Sequence, residues 1–449
     1  MLPFSFAANK KPRPAPTVET GVSAPTASRQ LEEPKLAYYA IWVAIALSVF
    51  EGPTRYLLAM VHLDSAIFIR DALLLLAPVV FVASRNRNNP MPASVGVFFI
   101  LMAVHAFISL VNIRSAIPAI YGLKMFIPVL CGFLAGSAIF NPTPKLVRVI
   151  FVFWVATVVA AALDQYVLDY PWVGINVELG GVDVFLGRDW QSGTERVGGL
   201  MRSSINLAVG IPLLTSMLLI SVKQNWLKLL ISTATFFVLV WTTQKGAILA
   251  FVVAMGALLI SSKNFTTPLK TAAVVAIVFM IFAPTVLIFV DMPRDAGVFS
   301  FQSFIERIES MWPAAWKWIG QFPPLLGVGL GGIGGGQRFF APDDRNAADN
   351  LFVYLYGNFG IMSVVYLFLI ASLAMNARNV RDNRDLMALA SLVFLLMYGV
   401  VVSLIEDQLA AMWLGAAIGW LIRMRSAESS PFARLRMRRD SPRLIAQKQ

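Results

Sequence analysis

The sequence predicts an all-α integral membrane protein with about 12 transmembrane helices. Hydrophobic residues make up 57% of the 449 residues and charged residues only 14%, a balance typical of membrane proteins. Apolar runs of roughly 17–25 residues, the length of a membrane-crossing helix, recur along the chain. Two long segments, 164–203 and 291–349, interrupt these runs and are predicted to be loops outside the membrane.

The predicted spans are separated by short polar loops. They lie near residues 37–57, 66–84, 94–112, 115–139, 146–163, 204–222, 227–243, 246–261, 270–290, 350–376, 386–405 and 408–422. A very tight turn at residues 241–245 joins the seventh and eighth spans. The membrane domain is expected to extend over residues 37–424.

Basic residues predict the orientation of the chain. If both termini lie on one side, that side carries Arg85, Arg87, Lys145, Arg148, Lys223, Lys228, Lys263, Lys270, Arg378, Arg381 and Arg384. The positive-inside rule makes this side cytoplasmic. The two long loops then face outward, toward the periplasm of a Gram-negative cell, and we expect the protein in the bacterial inner membrane.

Both ends of the chain are predicted to be cytoplasmic tails. Residues 1–36 are polar and lack the early apolar core of a signal peptide, so we expect a disordered tail. Residues 425–449 form a second, basic tail. The net charge of +12 lies largely in short loops and tails, which indicates contact with anionic lipid and no nucleic-acid partner.

The content of cysteine and histidine argues against two kinds of site. Cys131 is the only cysteine, so an intrachain disulfide cannot form. His62 and His105 are the only histidines, so a zinc site would need mostly carboxylate ligands. We expect no metal site.

The loop 291–349 contains a predicted amphipathic helix at residues 301–312, FQSFIERIESMW. Its apolar residues recur at three- and four-residue spacing, which predicts a helix lying in the outer membrane interface. Ser303 and Glu306 fit a capping box at its start. Two interpretations of Arg307 stay open: a solvated residue on an anchoring helix, or a cation that points into a site near the headgroups.

A glycine-rich run, GVGLGGIGGG at residues 327–336, follows this helix. It contains the string of a dinucleotide-binding fingerprint, but no strand precedes it, so we reject a cofactor site. Glycine instead lets backbone N–H groups come close to a ligand or to another helix.

Asp349 and Asn350 precede the tenth predicted span. Aspartate is a favoured N-cap of a helix. It is also a candidate general base for an incoming hydroxyl group. Both roles stay open for Asp349, since a carboxylate has two oxygens that accept hydrogen bonds.

Several cations are predicted at or near the outer surface: Lys124, Arg196, Arg202, Lys245 and Arg307. Guanidinium groups bind diphosphate through paired hydrogen bonds, so this set predicts a lipid-linked anionic ligand. Arg55 and Arg70 lie near Glu51 and Asp71 in the sequence. These charges either line the same cavity or neutralise one another in a purely structural role.

The sequence resembles the O-antigen polymerase and ligase superfamily, which includes Wzy-type and related exopolysaccharide polymerases. The similar stretches are EGPTRYLLAMVHLDSAIFIRDALLLL at 51–76, residues 119–133, ERVGGLMRSSINLAVGIPLL at 195–214, residues 242–251 and residues 307–367. Gln244-Lys245-Gly246 stands where the family usually has Ser-Arg-Gly. Asp349 stands where ligases of the superfamily carry a functional histidine, which favours polymerisation over ligation.

The resemblance implies a GT-C-like glycosyltransferase that needs no metal and no cofactor. Its substrate would be an undecaprenyl-diphosphate-linked oligosaccharide at the periplasmic face. The candidate catalytic residues are Arg196, Arg307 and Asp349. The candidate substrate-binding residues are Arg55, Arg70, Lys124, Arg202, Lys245 and Asn350.

The expected function is polymerisation of lipid-linked repeat units into exopolysaccharide or O-antigen. Expected partners are a polysaccharide co-polymerase that regulates chain length and the export proteins. Three alternatives stay open: a ligase that transfers glycan to another acceptor, a flippase or secondary transporter, and a non-catalytic partner of the export machinery. Transporters usually have matched halves, and no such repeat is evident here.

Overall fold

The structure, a computed structural model, is an all-α bundle apart from two small β-hairpins. It describes residues 35–84, 93–179, 182–186, 189–191, 194–260, 263–290, 301–377, 380 and 382–429. Most of the two predicted tails, the loop containing Arg85 and Arg87, and Arg378 and Arg381 lie outside these residues. So does the first part of the predicted 291–349 loop.

The described helices follow one another through short connections. They are α1 (Lys35–Val49), α2 (Glu51–Met60), α3 (Phe68–Ala83), α4 (Ala93–Ile113), α5 (Ala116–Phe140), α6 (Pro144–Tyr166), α7 (Ser204–Ser221), α8 (Asn225–Trp241), α9 (Lys245–Ile260), α10 (Thr266–Val286), α11 (Gln302–Glu306), α12 (Trp312–Ile319), α13 (Leu351–Phe359), α14 (Met362–Met375), α15 (Asn383–Tyr398) and α16 (Gln408–Ser429).

The all-α class predicted from the sequence is confirmed, and the helices are those of a multi-pass membrane protein. Among the described residues, seven helices are long and apolar enough to cross a membrane, or eight if α1 and α2 form one bent span. The apolar helices α9, α14 and the Gln408–Met424 part of α16 are shorter. Helix length therefore supports seven or eight spans among the described residues, fewer than the roughly 12 predicted from the sequence.

Two of the predicted spans are broken. The span expected at 37–57 bends by 81° between α1 and α2. The span expected at 350–376 is interrupted at Gly360, whose φ of 58° lies in the left-handed region. A Cβ at Gly360 would lie 2.5 Å from the carbonyl oxygens of Pro324 and Leu325. The chain therefore turns here around a neighbouring loop, which an apolar sequence pattern does not reveal.

α15 lies at the centre of the bundle. All but three of its residues are buried, and it packs against α9, α10 and α16. A helix that is apolar on every face is expected in such a position. It positions the turn after Tyr398, which leads to the site described below.

α5 and α16 form the closest helix pair of the bundle. A Cβ at Gly132 of α5 would lie 1.7 Å from the carbonyl oxygen of Met412, and one at Gly415 of α16 would lie 1.9 Å from that of Val129. Gly136 and Gly419 face the opposite backbone in the same way. Small residues spaced by four allow such close approach of membrane helices.

The segment before α7 contains two antiparallel hairpins, which are not evident from the sequence pattern. β1 (Asn176–Leu179) pairs with β2 (Val182–Phe185), and β3 (Asp189–Gln191) pairs with β4 (Thr194–Arg196). The segment is tied to α6 through Asp164, whose Oδ2 accepts hydrogen bonds from the backbone N–H groups of Gly198 and Gly199 at 3.2 and 2.9 Å.

The predicted amphipathic helix is present but is irregular. A π-helical turn, Arg307–Met311, separates α11 from α12. The predicted capping box is wrong, because Phe301 is the N-cap residue and no side chain caps the helix. Ser303 lies inside α11, where its carbonyl oxygen accepts a hydrogen bond from Arg307.

The glycine-rich run is packed into the bundle. Ser109 of α4 donates to the carbonyl oxygen of Leu330 at 2.8 Å, and the N–H of Gly331 donates to Asn358 of α13 at 2.8 Å. A Cβ at Gly331 would lie 1.9 Å from the carbonyl oxygen of Pro118 in α5. The glycines therefore permit close approach to helices, one of the two uses expected from the sequence.

We predict that the Gly415→Ala variant is destabilised. The new methyl group would overlap the backbone of α5, and overpacking of this kind typically costs about 1–3 kcal/mol. The midpoint of thermal unfolding in detergent should fall. The control is Gly256→Ala, because a Cβ at Gly256 meets no atom within 4 Å. Equal midpoints for the two variants would contradict the close packing of α5 and α16.

Candidate functional site

A cavity of about 310 Å³ opens at the end of the bundle where the segments 164–203 and 301–349 lie, here called the loop end. Its walls come from α1, α2, α3, α5 and α7, the glycine-rich run and the turn before α16. The charged side chains that line it are Glu51, Arg55, Arg70, Asp71, Lys124, Arg202, Arg338, Arg345, Glu406 and Asp407.

One wall of the cavity is a buried ion network centred on Glu51. Its Oε1 lies 2.6 Å from Nη2 of Arg55, and its Oε2 lies 2.6 Å from Nη1 of Arg70. All three side chains are at most 8% exposed. One carboxylate thus compensates two guanidinium groups, and this part of the wall keeps a net positive charge. Arg55 Nη1 is buried and has no hydrogen-bond partner in the described part of the chain.

The same wall continues with Asp71 and Lys124. Nζ of Lys124 lies 2.7 Å from Asp71 Oδ2 and 4.6 Å from the centre of the Phe68 ring. The other oxygen of Asp71 accepts a hydrogen bond from Gln408 at the start of α16. Asp71 therefore connects α3, α5 and α16 and is fully occupied by these contacts.

A further part of the cavity lining carries Arg202, Arg338 and Arg345. In the described part of the chain, none of them has a carboxylate within ion-pair distance. The Nε of Arg338 is buried and has no hydrogen-bond partner there. Arg345 also lines the cavity but is largely exposed to solvent. This part of the lining, here called the arginine wall, presents guanidinium groups of the kind that bind anionic ligands.

The two carboxylates of the turn before α16 have different surroundings. Asp407 caps α16, because its Oδ1 accepts from the N–H of Ala410 at 2.8 Å and its other oxygen accepts from Asn206. Glu406 accepts a hydrogen bond from the N–H of Gly335. Burial raises the pKa of both carboxyl groups above the ordinary values.

Glycines bring the backbone next to Glu406. A Cβ at Gly334 would lie 2.4 Å from Glu406 Oε1, and one at Gly335 would lie 2.3 Å from the Tyr121 hydroxyl. Gly334 also has a φ of 75°, which favours glycine. The end of the glycine-rich run is therefore shaped to fit this carboxylate and this tyrosine.

Four of the residues proposed from the sequence line the cavity: Arg55, Arg70, Lys124 and Arg202. Arg55 and Arg70 are ion-paired and also line the cavity. A structural role and a place in the cavity wall are therefore compatible for both residues.

The other proposed residues do not line this cavity. They are Arg196, Lys245, Arg307, Asp349 and Asn350. Arg307 is only 9% exposed and is not the solvated residue of the first interpretation. Its Nη2 lies 2.9 Å from Asp349 Oδ2, so the two candidate catalytic residues pair with each other. Burial raises the pKa of Asp349, and the nearby charge of Arg307 opposes this shift.

Asn350, not Asp349, caps α13. Its Oδ1 accepts from the N–H of Val353 at 3.1 Å, and its amide donates to the carbonyl oxygens of Met280 and Val400. The expected N-cap role of Asp349 is therefore wrong, because the helix starts one residue later. Asp349 has a φ of 37°, which non-glycine residues adopt rarely, and its carboxylate pairs with Arg307.

Sequence reasoning missed Arg338, Arg345 and the role of the Glu406-Asp407 pair. The two arginines lie in a segment without periodicity, so no pattern placed them near α2 or α5. The carboxylate pair carried a usable signal, since two adjacent acids in a short turn between apolar runs are expensive unless they have partners.

No family model, no curated protein and no solved structure matches this chain.

We predict that Glu51→Ala destabilises the protein. Removing the carboxylate leaves two buried guanidinium groups without their partner, which typically costs about 3–5 kcal/mol. The midpoint of thermal unfolding in detergent should fall well below that of Asp343→Ala, because Asp343 is exposed at the loop end. An unchanged midpoint for Glu51→Ala would contradict a structural role for the network.

Proposed function

We propose that the protein is a glycosyltransferase that polymerises lipid-diphosphate-linked oligosaccharide repeat units. The observation that carries this proposal is the arginine wall, where Arg202, Arg338 and Arg345 face a cavity without ion-pair partners in the described part of the chain. An anionic ligand would supply the missing negative charge. A lipid-linked diphosphate matches this charge and reaches the cavity from the membrane.

The chemistry of the reaction suits this wall. The growing glycan on its lipid diphosphate is the donor, and a hydroxyl group of a new lipid-linked unit attacks its anomeric carbon. Negative charge develops on the departing lipid diphosphate, and fixed guanidinium groups would stabilise it in the transition state. The reaction requires no metal or cofactor.

In this proposal the protein crosses the bacterial inner membrane about 12 times, with its helices in a GT-C-like arrangement. The shorter helices α9 and α14–α16 would complete the set. An even number of spans places both termini on one side of the membrane, and the positive-inside rule makes that side cytoplasmic. The loop end then faces the periplasm. Proposed partners are a polysaccharide co-polymerase and export proteins. Ligation and lipid flipping are the alternative functions that the experiments below separate from polymerisation.

The orientation predicts which introduced cysteines react from outside the cell. On a Cys131→Ser background, Asp343→Cys should react with a membrane-impermeant maleimide in intact spheroplasts. Asn225→Cys, at the α7–α8 turn near the opposite end of the bundle, should react only after lysis. Both positions are exposed. The reverse labelling pattern would overturn the orientation and the periplasmic site with it.

The arginine wall predicts loss of activity on conservative substitution. Purified protein given lipid-linked repeat units in detergent should make a ladder of longer glycans and release lipid diphosphate. Arg202→Lys and Arg338→Lys should slow the ladder by roughly 10- to 100-fold, because lysine keeps the charge but loses the paired donors that stabilise the diphosphate. The control is Arg384→Lys, since Arg384 is exposed at the start of α15, outside the cavity.

Two outcomes would contradict this function. If Arg202→Lys and Arg338→Lys both made the ladder at the wild-type rate, the arginine wall would have no role in the reaction. Wild-type protein that makes no ladder but moves intact lipid-linked units across a vesicle membrane would establish a flippase instead.

A further inference from the structure

The cavity contains four carboxylates, and three of them are fully used by the protein. Glu51 holds Arg55 and Arg70 through both of its oxygens. Asp71 is shared between Lys124 and Gln408. Asp407 caps α16 with one oxygen and accepts from Asn206 with the other. None of these three has an oxygen left to accept a further proton without breaking a structural contact.

Glu406 differs from the other three in its partners. It forms no ion pair among the described residues. Its Oε1 accepts from the backbone N–H of Gly335, and its Oε2 lies 3.2 Å from the hydroxyl of Ser403. That hydroxyl also lies 3.3 Å from the carbonyl oxygen of Ala347. A serine has one hydroxyl proton, so when it donates to Ala347, Oε2 of Glu406 has no donor.

We propose that Glu406 is the proton acceptor of the transfer reaction, a role that rests on the polymerase function proposed above. Its side chain lines the same cavity as the arginine wall. A sugar hydroxyl between the two would have a carboxylate oxygen on one side and the diphosphate-linked carbon on the other. Asp349, the base considered from the sequence, is instead paired with Arg307 outside the residues that line the cavity.

The step balances without a further reactant. The hydroxyl oxygen of the acceptor sugar forms a bond to the anomeric carbon of the donor. The bond between that carbon and the diphosphate oxygen breaks, and its electron pair leaves with the diphosphate toward the arginine wall. The hydroxyl proton moves to Oε2 of Glu406 and is released to water after the glycan moves on.

The groups around Glu406 set its proton affinity. Tyr121 on α5, Tyr354 on α13, Arg338 and Arg345 in the loop, and Asp349 surround it, with Asp407 next in sequence. Burial raises the pKa of Glu406, and the Gly335 and Ser403 donors and Arg338 oppose this shift. The active form is the ionised one, so the rate should fall as the pH falls through this raised pKa.

The test is the rate of ladder formation by Glu406→Gln as a function of pH. Glutamine keeps an oxygen for the N–H of Gly335 but cannot take up the proton. We expect a loss of at least about 100-fold at neutral pH, typical of removing a general base, and no remaining decrease of the rate at acidic pH. Binding of the lipid-linked unit, followed by tryptophan fluorescence, should be unchanged. The control is Asp344→Asn, an exposed residue of the loop that carries Arg338 and Arg345.

A second variant separates chemistry from folding. Glu406→Asp keeps a carboxylate that is set back by one methylene group, so it should be slow but should retain the decrease of rate at acidic pH. If Glu406 had only a structural role, the rate of Glu406→Gln would still fall at acidic pH, because Asp349 and Asp407 would still titrate.

The failures of the two proposals are distinguishable. Wild-type protein that makes a ladder, together with Glu406→Gln at the wild-type rate or with the acidic decrease retained, overturns the role of Glu406 and leaves the polymerase function standing. Wild-type protein that makes no ladder and releases no lipid diphosphate overturns both.

Discussion

The compensation of buried charge at the loop end is the constraint on which the rest of the structure depends. A charge removed from water is expensive unless an opposite charge or several hydrogen bonds replace the lost hydration. Glu51, Asp71 and Asp407 meet this requirement by joining α2, α3, α5, α7 and α16 to one another. The same contacts that compensate the charges therefore fix the relative positions of the helix ends.

The cavity is the place where this compensation is left incomplete. The glycine-rich run closes the cavity by approaching α5 and Glu406 more closely than any side chain would permit, and it brings Arg338 into the cavity lining. Several arginines and Glu406, which forms no ion pair among the described residues, thus line the same cavity. The proposed anionic ligand would complete the compensation of these positive charges.

Helix positions could be predicted from the sequence because length and hydropathy are local properties. Breaks such as Gly360 could not, since the break depends on a loop that begins some 35 residues earlier and packs against it. Arg55, Arg70, Lys124 and Arg202 stood out as charges beside apolar runs, whereas Arg338 and Arg345 lie in an irregular segment. The contact between Asp71 and Gln408 joins residues 337 positions apart, and no local pattern encodes such a pairing.

The close contact between α5 and α16 has a consequence for how the protein is made. Gly132 and Gly415, which approach opposite backbones within this pair, are separated by 415 − 132 = 283 residues. At a synthesis rate of about 5–20 residues per second, α5 waits on the order of tens of seconds for its partner. During that interval its glycine-lined groove is open to lipid or to other helices. The α5–α16 contact therefore forms only after α16 has been synthesised, and a ribosome that stops before α16 leaves a product without this contact.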